Sequence, residues 1–102
     1  MTALFDPDFH PVDARALAAR LKALADPTRL LILRQLRHEG LATNGDLQEA
    51  LCVAQPTMSH HLRILAAAGL ITSRKEGVFV IRELDAAALE DLARLINPAV
   101  RL

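Results

Sequence analysis

Apolar residues recur every three or four positions along most of the chain, and this spacing places them on one face of an α-helix. The pattern predicts five helices, at about residues 12–24, 27–38, 43 to 51 or 52, 55–70 and 85–96. Residues 1–11 show no such period and are expected to form an irregular N-terminal arm. The chain is therefore predicted to be mainly helical.

Residues that favour helix ends stand where the apolar periods begin and stop. Asp26 and Pro27 read as an N-cap followed by a first-turn proline, and Pro56 fits the start of the fourth helix. The other predicted ends carry similar signals: the capping-box pair Thr43 and Asp46, the cap Asp85, and the stop residues Gly40 and Gly69.

The period changes from helical to alternating after the fourth helix. Residues 71–75 and 78–84 read as two strands joined around Glu76 and Gly77, which predicts a β-hairpin. The third and fourth helices, separated only by a short connection, have the order of a helix-turn-helix. A hairpin placed directly after them favours a winged helix-turn-helix in a single domain, residues 1–102, although a hairpin that merely covers the core remains the alternative.

Composition limits the class of protein. The 102 residues support one domain, and 52% hydrophobic residues with no Trp or Tyr predict a core of aliphatic side chains. No apolar run approaches the length of about twenty residues that spans a bilayer, and the first residues lack the pattern of an export signal. We therefore expect a cytoplasmic protein without a membrane partner.

Charge is distributed unevenly although the chain as a whole is neutral. Residues 55–82 hold four basic residues against one acidic residue, a net charge of +3, so that the remainder carries −3. A polyanion responds to local charge, and the positive segment contains the fourth helix. This distribution supports binding to nucleic acid, with an ordinary solvated face as the alternative.

The fourth helix combines an apolar stripe with hydrogen-bonding side chains on its first turns. Met58, Leu62 and Leu65, with Ala66, are expected to pack inward. The hydrogen-bonding side chains are then left on the outer side of the helix; they are Thr57, Ser59, His60 and Arg63. A protein that contacts base edges and phosphates needs side chains of this kind. An amphipathic helix with a merely hydrated face is the competing interpretation.

The first and last helices show more apolar surface than a small domain needs for its own core. Leu89, Leu92 and Ile96 form one stripe, and Leu17 and Leu21 form another. We predict a homodimer through these five residues, against the alternative that both helices pack only within their own protomer.

Three segments together resemble the ArsR/SmtB family of winged-helix transcriptional repressors. The first junction of two helices reads LKALADPTRLLILRQL, the helix-turn-helix reads DLQEALCVAQPTMSHHLRILAAAGLI, and the wing reads RKEGVFVIREL. Each motif is loose alone, whereas their order and spacing are specific. The resemblance implies a dimer through the first and last helices, and a repressor that leaves an inverted-repeat operator in double-stranded DNA when an effector binds.

The resemblance also assigns DNA-contacting residues by position. Base contacts fall on Gln55, Thr57, Ser59 and His60, while Arg63 lies near the backbone and Arg74 and Lys75 lie on the wing. His61 matches a more constant histidine of the family, and contact with DNA and a structural role both remain open. Ala54 stands where the family commonly has Ser, which weakens the helix N-cap.

Many members of the family bind a metal or metalloid effector, but the usual ligand positions here lack Cys and His. The stretch LATNGDL has no paired thiolates, and the last helix has carboxylates without histidine, a poor set for zinc or nickel. We expect no metal site; the only weak candidates are Cys52 and His10, the latter from a partner's arm. A buried core cysteine is the preferred interpretation of Cys52, and an intermolecular disulfide is another.

Two other classes of function are alternatives to DNA binding. A winged helix whose outer face binds a protein is the main alternative, and the salt dependence of binding separates the two. The sequence shows no nucleophile beside a base and no glycine loop that cradles phosphate, so an enzyme is not expected.

Overall fold

A computed structural model describes residues 2–99, in which five helices and three short strands follow one another with short connections. The helices are α1 (Pro11–Leu24), α2 (Pro27–Glu39), α3 (Asn44–Leu51), α4 (Gln55–Ala67) and α5 (Ala86–Ile96). The strands are β1 (Leu41–Thr43), β2 (Ile71–Glu76) and β3 (Phe79–Leu84). The predicted fold class, mainly helical with a β-hairpin after a helix-turn-helix, is confirmed.

The predicted caps position the helices. The Asp26 carboxylate accepts a hydrogen bond from Arg29 N at 3.1 Å, and the Asp85 carboxylate accepts one from Ala88 N at 3.0 Å. Thr43 and Asp46 form the expected capping box, each side chain accepting from the other residue's backbone N–H at 3.0 Å. These bonds satisfy amide groups that the first turn of a helix leaves without a partner.

The sheet holds one strand that the pattern did not predict. Its strand order is β1-β3-β2 with both pairings antiparallel, so β1 extends the hairpin on the side of β3. Strand β1 has three residues, which follow the helix stop Gly40 and end on the helix cap Thr43, and so short a segment cannot show an alternating pattern. Pairing with β3 is what makes them a strand.

The core lies between the helices and the inner face of the sheet. Its fully buried members come from α2, α3, α4, the connection between α4 and β2, and α5: Ile32, Leu36, Leu47, Met58, Leu62, Leu65, Leu70 and Leu92. Leu30, on α2 as well, is 52% exposed. Leu30 lies about 100° round the helix from Arg29, and Arg29 holds the inward position.

Two of the five residues predicted for a dimer interface belong to the protomer's own core. Leu17 and Leu92 are 4% and 2% exposed, so they offer no surface to a partner and their assignment is corrected. Leu89 is half-buried, whereas Leu21 and Ile96 remain exposed. The apolar stripes of α1 and α5 are thus partly used within the protomer.

The segment before α1 is irregular but packs against the domain. Leu4 N donates to Leu95 O at 2.8 Å, and Ala3 and Phe9 contact the core. The arm therefore lies along the end of α5.

No helix within residues 2–99 combines the length and the apolar character that crossing a bilayer requires.

Candidate nucleic-acid interface

A tight turn joins α3 to α4. Cys52 ends α3 in the left-handed conformation, with φ 53° and ψ 45°, and Val53 N donates to Gln48 O at 3.1 Å. The chain then enters α4 through Ala54, whose side chain provides no cap. This connection sets α4 at an angle on α3, as in a helix-turn-helix.

The inward face of α4 determines which side chains face solvent. Met58, Leu62 and Leu65 are fully buried, so this side of the helix is anchored in the core. The opposite side carries four exposed residues of the predicted set and one half-buried one; they are Gln55, Thr57, His60 and Arg63, with Ser59 half-buried. Five hydrogen-bonding side chains thus lie along one outer stretch of α4.

His61 faces inward and takes the structural role that the sequence left open. It is 8% exposed, and its Nδ1 lies 3.2 Å from a guanidinium nitrogen of Arg29. A guanidinium only donates hydrogen bonds, so this Nδ1 is the unprotonated acceptor and the ring proton is on Nε2. His61 therefore does not belong with the residues that face solvent on α4.

Arg29 joins three helices through the same guanidinium. Its Nε donates to Ala23 O at 2.7 Å and its second terminal nitrogen donates to Lys22 O at 3.3 Å, both at the end of α1. With the contact to His61, these bonds hold α4 against the junction of α1 and α2. Sequence reasoning missed this role, because Arg29 and His61 are 32 positions apart and only the motif around Arg29 was visible.

Asp26 completes this cluster. The hydrogen bond from the backbone N–H of Arg29, partly offset by burial and assisted by the positive charge of the Arg29 guanidinium, holds the pKa of the Asp26 carboxyl below its ordinary value. The ionised Asp26 carboxylate therefore stabilises the fold at pH values above the pKa that it has in the unfolded chain. This stabilisation is lost as the pH falls through the lower pKa of the folded state. The contribution of Asp26 to the junction is therefore lost in acid.

The wing offers less free positive charge than the sequence indicated. Arg74 pairs with Glu76 at 3.2 Å and lies 3.9 Å from Glu83, so its charge is largely compensated. Arg82 donates to the side chain of Asn44 at 3.0 Å, and burial lowers its pKa. Within residues 2–99, neither Lys75 nor Arg82 has a carboxylate at ion-pair distance, and Lys75 is the exposed one of the two.

The tip of the wing is apolar. The turn passes through Gly77 at φ 61°, followed by Val78, which is 93% exposed, and the exposed Phe79. Lys75 lies two residues before Gly77, next to this tip.

The two weak metal candidates are placed separately in the fold. Cys52 is exposed, so the preferred interpretation of a buried cysteine was wrong; the left-handed turn points it away from the core. His10 precedes α1, where its backbone N–H donates to Asp13 at 2.9 Å. In residues 2–99 no three His, Cys, Asp or Glu side chains come together as a metal site would need.

Comparison with known proteins places these features in a family. The family described as "Bacterial regulatory protein, arsR family" matches residues 26–73, a range that spans α2 to the start of β2. An uncharacterized HTH-type transcriptional regulator of Methanocaldococcus jannaschii is 37% identical over 76 residues, covering 74% of this chain and 85% of the relative. The transcriptional repressor SdpR of Bacillus subtilis is 40% identical over 70 residues, covering 69% and 77%.

Solved structures agree with the sequence relatives. An ArsR-like transcriptional regulator from Rhodococcus sp. RHA1 superimposes with a TM-score of 0.71 at 33% identity, covering 79% of this chain and 76% of the other. The similarity therefore extends over most of the chain.

Proposed function

Because the chain belongs to the ArsR/SmtB family of DNA-binding transcriptional regulators, we propose that it is a homodimeric repressor that reads an inverted-repeat operator with α4 and leaves it when an effector binds. The observation that carries this proposal is the row of hydrogen-bonding side chains on α4, opposite three fully buried residues. The name of the Bacillus subtilis relative, a transcriptional repressor, supports repression over activation.

The proposed reading mode follows from this geometry. Gln55, Thr57, Ser59 and His60 contact base edges, while Arg63 and Lys75 meet phosphates on either side. In a symmetric dimer two copies of α4 enter successive major grooves about 34 Å apart on one side of the duplex. Arg74 is a weaker phosphate contact, because Glu76 and Glu83 already compensate its charge.

The proposed dimer surface combines α1, α5 and the arm. Arg20 joins the two helices, with its guanidinium 3.6 Å from Asp91 and 3.4 Å from the carbonyl oxygen of Ala88. Exposed apolar side chains remain on these elements, namely Leu4, Phe5, Val12, Leu21 and Ile96. An apolar surface shared by adjacent elements is what a twofold contact buries.

Replacing Leu21 and Ile96 by glutamate is expected to convert the dimer into a monomer, because association would then bury uncompensated carboxylates. The measurement is sedimentation equilibrium at micromolar concentration. Val78→Glu is the matched control, since it adds one carboxylate at an exposed apolar position of the wing and should remain dimeric. A wild-type protein that sediments only as a monomer at this concentration contradicts the proposed dimer.

Lys75→Ala is expected to reduce the salt dependence of DNA binding, lowering the slope of log affinity against log salt by about 0.9 per protomer for one phosphate contact. Arg74→Ala should lower it less. Fluorescence anisotropy of a labelled duplex over a salt series measures both slopes, with Arg94→Ala as a control on α5. If wild-type binding hardly responds to salt, the interface does not neutralise phosphates and the alternative, a protein partner, is favoured.

A further inference from the structure

An apolar cavity of about 380 Å³ lies between α2 and α5, apart from the outer face of α4. Its apolar lining consists of Leu33, Leu84, Ala86, Leu89 and Ala93. This volume falls in the range of pockets that take small organic molecules, and an apolar lining with a few polar groups is typical of them.

The polar groups of the cavity are two arginines and one glutamate. Arg34 and Arg37 project from α2 and Glu90 from α5, so the rim has a net charge of +1. Within residues 2–99 neither arginine has a carboxylate at ion-pair distance. The same two arginines line a second hollow of about 550 Å³, with Gln35 and His38, so that the polar end of the cavity is cationic.

We propose that this cavity binds a small apolar carboxylate and that this ligand is the effector, an inference that rests on the proposed repressor function. The hydrocarbon part would lie against Leu33, Leu84 and Leu89, where it removes apolar surface from water. The carboxylate would accept hydrogen bonds from Arg34 and Arg37, whose planar guanidinium groups match its two oxygens. The single net positive charge of the rim favours a monoanion.

The cavity adjoins both the wing and a helix of the proposed dimer surface. Leu84 is the last residue of β3, the strand that carries the wing, and Leu89 and Ala93 lie on α5, a helix of the proposed dimer surface. A ligand that binds the DNA-free arrangement of these elements more tightly shifts the protein away from the operator by that difference in affinity.

The first experiment titrates full-length protein without DNA using 2-naphthoate, whose fluorescence is not overlapped because the chain has no Trp or Tyr. The uncharged 2-naphthalenemethanol is the matched probe. Naphthoate should bind saturably, and Arg34→Ala with Arg37→Ala should weaken it at least tenfold while leaving the alcohol unchanged. Arg15→Ala with Arg94→Ala removes two arginines elsewhere and should leave naphthoate binding intact.

Three outcomes overturn the site: no saturable binding at millimolar naphthoate, equal binding of the alcohol, or equal losses in both double variants. Methyl NMR signals of Ala86 and Ala93 provide a second readout, since they should shift with naphthoate. If instead a soluble paramagnetic agent fails to broaden them in the free protein, a second copy of the chain covers the cavity and the proposal is wrong.

The effector role is measured separately on DNA. Naphthoate at saturation should weaken operator binding at least fivefold in the wild type and leave the Arg34→Ala and Arg37→Ala double variant unaffected. Unchanged operator affinity in the presence of bound naphthoate overturns the effector role. Failure to bind any DNA without naphthoate overturns the repressor function instead. The titration without DNA still tests whether the cavity binds naphthoate.

Discussion

Ser59→Ala combined with His60→Ala is expected to weaken operator binding by about 1–3 kcal/mol for each lost base contact, so that two contacts correspond to a loss of about 30-fold or more. The reason is that both side chains lie on the outer stretch of α4, while the inward side of that helix is unchanged. Affinity for a scrambled duplex should change little, because the protein binds such a duplex through phosphate contacts that other residues make. Anisotropy titrations of operator and scrambled duplexes at one salt concentration measure the difference.

His38→Ala is the matched control for this double variant. It removes the same kind of ring from an exposed position on α2, away from α4, and should leave both affinities unchanged. Thermal unfolding of all variants shows whether the fold is retained. Equal losses on operator and scrambled DNA would mean that Ser59 and His60 contact the backbone and do not read bases.

Arg29→Met should lower the free energy of unfolding by about 2–4 kcal/mol, because it leaves Ala23 O and His61 Nδ1 without their donor inside the junction. Operator affinity should fall as well, since α4 loses its tie to the end of α1. Urea unfolding measures the first effect, and anisotropy at a temperature where the variant is folded measures the second.

Two further variants separate geometry from charge. Arg34→Met removes an exposed arginine from the same helix and is expected to unfold at nearly the wild-type urea concentration. Arg29→Lys keeps a positive charge without the planar fork and should recover only part of the stability. An Arg29→Met protein as stable as the Arg34→Met protein would show that the contacts of Arg29 do not hold the junction.

Most of the helices and both hairpin strands were predictable because their signals are local. The capping residues Asp26, Thr43 and Asp85 all accept the predicted bonds from residues three positions later. Helix α4 ends at Ala67 with Ala68 as its C-cap, and Gly69 follows at φ 75°, which confirms the predicted left-handed stop. Strand β1 was not predicted, because it is a strand only through its pairing with β3, which is distant along the chain.

The candidate site was predictable in outline and not in detail. The apolar period of α4 correctly placed Met58, Leu62 and Leu65 inside, and with them the outward set. The same period left His61 at the border between the two faces. The direction of the His61 side chain depends on Arg29, which contacts it from α2.

The amino-acid order by itself determined where helices and strands begin and which face of α4 is apolar, because caps, turns and side-chain period act over four residues or fewer. Tertiary structure alone decided the partners across the chain: Arg29 with His61, Arg74 with its two glutamates, Leu17 and Leu92 within the protomer, and the cavity between α2 and α5. The physical reason is that packing assigns these neighbours, and packing brings together residues whose separation along the chain carries no local signal.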